Sequence, residues 1–157
     1  MPKPDMSLTV NVNVTGQLNG NTVTVSDKTY TQTASTPVSA GVVDSSGDID
    51  LTKMSDPGNN YSNQTDITFM LSGTITDNQG NSYEVVFPDQ VSNAVTITGG
   101  SGANQFTPSL LSETSLLLDD ADNNGQTYQY CLTIEPDIIV ADGSPPTCPL
   151  DPQIVNR

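Results

Sequence analysis

The chain has 157 residues, eighteen acidic side chains against four basic ones, no histidine and a net charge of −14. So few cations exclude nucleic acid as a partner and disfavour anionic membrane surfaces, and the lack of histidine excludes Ser-His-Asp and Cys-His catalysis. The length suits one domain with a real core, and twenty Thr, sixteen Ser and fourteen Asn suit strands joined by many turns.

Residues 1–6 lack the apolar core of a signal peptide and read as a flexible start. Either the protein is intracellular or the chain is a processed product. No stretch approaches the ~18 consecutive apolar residues of a membrane helix, so membrane insertion is not expected. Ser7 to Leu18 sets Leu8, Val10, Val12 and Val14 on one face and Thr9, Asn11, Asn13 and Thr15 on the other. That period of two predicts a strand with one wet face. Gly16 to Gly20 reads as a turn, after which Val23, Val25 and Tyr30 continue on a hairpin partner. Asp44 to Asn63 reads as loop around one short strand at Ile49 to Leu51.

Asp66 to Thr76 alternates through Ile67, Phe69, Leu71, Gly73 and Ile75, turns at Asp77 to Asn81, and returns over Tyr83 to Phe87 as a second hairpin. Val91 to Thr98 and Ser112 to Leu118 read as strands, and Thr127 to Glu135 points Tyr128, Tyr130, Leu132 and Ile134 to one side. Ile138 to Val140 is a short apolar run. Residues 142–157 carry Pro145, Pro146, Pro149 and Pro152 and are expected to form an extended tail, not a strand in a sheet centre. No segment holds the i, i+3, i+4, i+7 pattern of a long helix. About eight short strands with turns between them predict an all-β fold, a single antiparallel β-sandwich of Ig-like or jelly-roll-like form spanning the chain.

The acidic stretch Asp119 to Gln126 is the leading candidate for chemistry. Asp120-x-Asp122-x-Asn124-Gly125 matches the opening of a calcium loop in which alternate oxygens converge and glycine permits the bend. The match fails where the loop needs a bidentate Glu, because Cys131 stands there, and no flanking helices are predicted. Asp119, Gln126 or a carbonyl are available to complete a shell. The same residues build ordinary polar turns, so a hairpin turn is the favoured reading, with Asp120, Asp122 and Asn124 as the candidate calcium ligands.

Cys131 and Cys148 are the only cysteines. A disulfide between them closes a loop of about seventeen residues and is worth roughly 3 kcal/mol in the chain-entropy model. It is expected if the protein is secreted or on the cell surface; in the cytoplasm both are free thiols. Two cysteines without histidine make no usual zinc site. Gly99-Gly100-Ser101-Gly102 lacks the lysine and the following helix of a phosphate loop, and no carboxylate pair is singled out for acid–base work. The chain is therefore expected not to be an enzyme, and to need no cofactor unless calcium.

Two stretches carry a family resemblance. Leu116-Leu117-Leu118-Asp119-Asp120-Ala121-Asp122 runs into Tyr128-Gln129-Tyr130-Cys131-Leu132-Thr133, and Asp151-Pro152-Gln153-Ile154-Val155-Asn156-Arg157 ends the chain. Together they resemble the small bacterial proteins of the DP-EP family, from which this chain departs by a longer first half and its two cysteines. The resemblance implies one compact β-domain with the Asp-Pro tail as part of the fold, and it brings no activity or catalytic residue. The expected function is a non-enzymatic binding or structural module, self-associating through strand or tail exchange or held by a protein partner. The alternative is a calcium-stabilised extracellular or cell-surface domain using Asp120, Asp122 and Asn124.

Overall fold

The computed structural model describes residues 1–99, 105–122, 125–138, 146–150 and 152–156. In chain order the strands are β1 (Met6–Asn19), β2 (Thr22–Thr36), β3 (Ile49–Asp50), β4 (Thr65–Asp77), β5 (Ser82–Val86), β6 (Val95–Thr98), β7 (Phe106–Ser112), β8 (Ser115–Asp120), β9 (Thr127–Pro136), β10 (Cys148–Leu150) and β11 (Gln153–Val155). The helical elements among the described residues are one turn, α1 (Val91–Ala94), and a 3-10 turn at Leu51–Lys53. The fold is all-β, as the composition and alternation predict.

The alternation of β1 works out as read: Leu8, Val10, Val12 and Val14 are buried, and Asn11, Asn13 and Thr15 are exposed. The strand does not stop at Gly16. It runs through to Asn19 beside a register shift between Thr15 and Gly16, and the chain reverses at Gly20, whose φ is +62°. A Cβ on Gly16 would lie 2.7 Å from the Thr24 carbonyl oxygen, so this glycine serves close backbone approach at a bulge. The second hairpin joins β4 to β5, with the Asp77 carboxylate accepting from the Gln79 and Asn81 amides at 2.9 Å each.

The expected antiparallel arrangement needs correction, because the sheet is mixed. β1 has β2 antiparallel on one edge and β4 parallel on the other, in register from Met6 opposite Thr65 to Leu18 opposite Asp77. Parallel partners require a long connection, and residues 20–64, which include β2, supply it. β11 also runs parallel to β3, pairing Ile154 with Ile49 and Val155 with Asp50. Eleven strands are present among the described residues, more than the sequence suggests. β7 was not foreseen, because the sequence reading begins its strand only at Ser112.

The other edge of β4 is divided. Thr65 to Met70 pairs with β8, which pairs onward with β7, while Thr74 to Thr76 pairs with β5. β5 then reaches β9 through Val85 opposite Pro136 and Val86 opposite Glu135. β9 carries β6 on one side and both β10 and β11 on the other. The curl brings β9 over β4 and β7: Phe69 and Tyr130 stack with centroids 5.3 Å apart, and Phe106 meets Tyr128 edge-on at 4.9 Å. Burying each such side chain contributes about 1.5–3 kcal/mol.

The tail is not a free extension. β10 and β11 both pair with β9, and β11 lies between β9 and β3. Leu150 and Ile154 enter the core, which makes docking favourable despite the prolines. Pro149 is tolerated because β10 pairs only with β9 among the described residues.

Candidate metal centre

Alternation along β8 decides which acids go inside. Leu116, Leu118 and Asp120 share the buried face, and Asp119 is turned to the other side. Asp120 sits opposite Thr65 of β4 and Phe106 of β7. The Ala121 amide donates to the Gln105 carbonyl at 2.7 Å, and the Asp122 amide donates to Asp120 Oδ1 at 2.9 Å. Asp122 has φ +47°, a left-handed conformation that Asp tolerates better than most residues. Asp120 and Asp122 are both fully buried, at 0% exposure.

The expected hairpin turn is also corrected. β8 pairs with β4 and β7, β9 pairs with β5, β6, β10 and β11, and the two are not partners. The acidic stretch is therefore a crossing from one part of the curled sheet to the facing part. A hairpin turn would leave its carboxylates in water, whereas a crossing carries them inside.

A third polar residue arrives from the far end of the chain. Asn156 follows β11; its amide donates to the Gln126 carbonyl at 2.9 Å, and its side-chain Nδ2 donates to Asp120 Oδ1 at 3.2 Å. Asn156 is 1% exposed. Asp120 Oδ2 and Asn156 Oδ1 remain, both buried, and no hydrogen-bond donor reaches either among the described residues. An unsatisfied buried acceptor costs about 1–3 kcal/mol, and more if it is charged.

Burial pushes the Asp120 carboxyl up to about 7. The Asp122 amide opposes that shift, the Asp122 charge adds to it, the Asn156 amide opposes it, and Asp119 adds a little. Among the described residues no basic side chain acts on it. The inner group offers only oxygen, from carboxylates and an amide, which is the donor set of a hard divalent cation such as calcium.

Of the residues suggested by the sequence, Asp120 and Asp122 are brought together, and Asn124 lies outside the described residues. Asp119 does not join them. Its carboxylate accepts from Gln64 Nε2 at 3.0 Å, and its pKa is raised by partial burial, then by Asp66 and Asp5. Asn156 is the residue that sequence reasoning missed, since nothing local links it to a turn 36 residues away. Asp120 and Asn156, far apart in the chain, nevertheless meet in space here.

The proposed disulfide is not formed: Cys131 and Cys148 are not bonded to each other. Register explains this. Cys148 pairs with Ile134 and shares its inward side, whereas Cys131 lies three positions back along β9 and on the opposite face. Two other polar features are present. Glu84, Glu113 and Asp137 bring carboxylate oxygens within 4.8 Å of one another, but all three are exposed, where water competes well. A groove of about 520 Å³ is lined by Asp89, Asn93, Thr96, Thr133 and Glu135 among others. Partial burial raises the Glu135 carboxyl, with smaller effects from Asp89 and Asp137. No protein-family model and no curated protein matches this chain.

Proposed function

We propose that this chain is a non-enzymatic β-sandwich module of two facing layers, stabilised by a divalent cation, calcium in the first instance, held between Asp120, Asp122 and Asn156. One observation carries the reading: among the described residues Asp120 Oδ2 and Asn156 Oδ1 are buried without a donor, in a centre of carboxylate and amide oxygens. A cation satisfies both atoms and offsets the charge on Asp120. Asn124, a candidate ligand by its spacing in the sequence, lies outside the described residues. The small number of carboxylates in the centre suits the weak affinity of extracellular modules, with Kd of about 10⁻⁴–10⁻³ M. The DP-EP resemblance agrees with such a module and adds no activity to it.

Calorimetric titration with calcium tests the reading. The wild type should bind with heat in that affinity range, and Asp120→Asn should not. Absence of binding up to about ten times the weaker Kd rejects the site. Self-association by tail exchange is the second reading, favoured by the shortness of β11, three residues held between two other strands. Sedimentation velocity over a wide concentration range should then reveal a growing dimer. A single monomeric species throughout removes it.

A further inference from the structure

The centre draws its groups from two distant parts of the chain, and one of them is the last strand. β11 has three residues, and strands that short open readily. It is held by pairing of Gln153, Ile154 and Val155 with Gln129, Tyr128 and Thr127 of β9, and by the short parallel contact with β3. Three further bonds border it: the Gln153 amide to Asp48 Oδ1 at 2.8 Å, the Tyr130 amide to the Pro152 carbonyl at 3.0 Å, and the Asn156 amide to the Gln126 carbonyl at 2.9 Å. The one large apolar anchor within β11 is Ile154, at 0% exposure.

Docking β11 places Asn156 against Asp120, and in doing so it buries two acceptor oxygens that lack donors among the described residues. Without a cation, the closed strand carries that penalty. With a cation, the same two oxygens become ligands and the penalty becomes an attraction. The complete ligand set exists only while β11 is docked, so cation binding and strand docking are thermodynamically linked.

Resting on the cation reading above, we infer that the cation acts as a clasp for the C-terminal strand. Its binding fixes β11 between β9 and β3, and its removal lets β11 open while the long β1–β2–β4 framework stays folded. The centre is then a calcium-responsive latch on one strand, and the slot vacated along β9 is a sheet edge exposed only when calcium is low.

Hydrogen exchange on the full chain, in calcium and in chelator, tests the clasp, with calcium titration calorimetry run on the same samples. At a calcium concentration about 100 times Kd, exchange of the Val155 and Asn156 amides should slow by about 100-fold. Amides pairing β1 with β4 should change by less than about twofold, because they open by a different route. Asn156→Asp separates a ligand from a merely structural amide. As a ligand position, it should exchange faster than wild type in chelator and at least as slowly in calcium. Fast exchange of that variant in both conditions overturns the clasp. Calcium heat without slower β11 exchange overturns the clasp and leaves the site standing. Absence of calcium heat overturns both.

Discussion

Asp120 concentrates the physical tension of the molecule. It ends a strand whose alternation drives it inward with Leu116 and Leu118, and no base accompanies it among the described residues. Asp120→Asn keeps the shape and supplies an amide that can donate to Asn156 Oδ1. In chelator at pH 8 the variant should be more stable than wild type by about 1–3 kcal/mol, read from urea midpoints, while losing its response to calcium. A loss of stability in chelator contradicts this account of the residue. The pH dependence follows from the sign of the shift. The folded carboxyl titrates near about 7 and the unfolded one near about 3.9, so between those values the folded state holds a proton that the unfolded state has lost. The contribution of Asp120 to stability is therefore greatest at about pH 4 and below, and it falls as pH rises towards about 7. Comparing wild type with Asp120→Asn in chelator across that window should show the decline in the wild type alone.

Among the elements, the short terminal strand separates a tail that belongs to the fold from one that merely follows it. Ile154→Ala should cost about 2–5 kcal/mol in a urea titration, the ordinary cost of emptying a core position. A cost below about 0.5 kcal/mol, typical of a surface change, contradicts the docking of β11. Strands with one wet face were legible in the sequence, since a period of two betrays β1, β4 and β9 directly. Two things were not. Proline content argues against tail strands, yet Pro149 lies in a strand that pairs only with β9 among the described residues, and Leu150 and Ile154 supply core contacts that no local pattern reveals. The acidic stretch looked like a hairpin because turns and crossings use the same residues. Which one forms depends on pairing partners far away in sequence. Asn156 was hidden for the same reason: its role arises when β11 docks, and a lone Asn near a chain end carries no signal of it.

Over the whole molecule, high negative charge and a buried acidic centre point the same way. With a net charge of −14, the compact state is under self-repulsion, and a divalent cation at an interior carboxylate relieves part of it. If the proposed cation binds, the long β1–β2 and β1–β4 pairings should stand without it, while the crossing from β8 to β9 and β11 should depend on it. Thermal unfolding in calcium and in chelator, for the wild type and for Asp120→Ala combined with Asp122→Ala, is the most direct test of the cation centre. The expected result is a rise of about 3–6 °C for the wild type at roughly ten times Kd, absent in the double variant. Coincident wild-type melting curves in calcium and in chelator would contradict it.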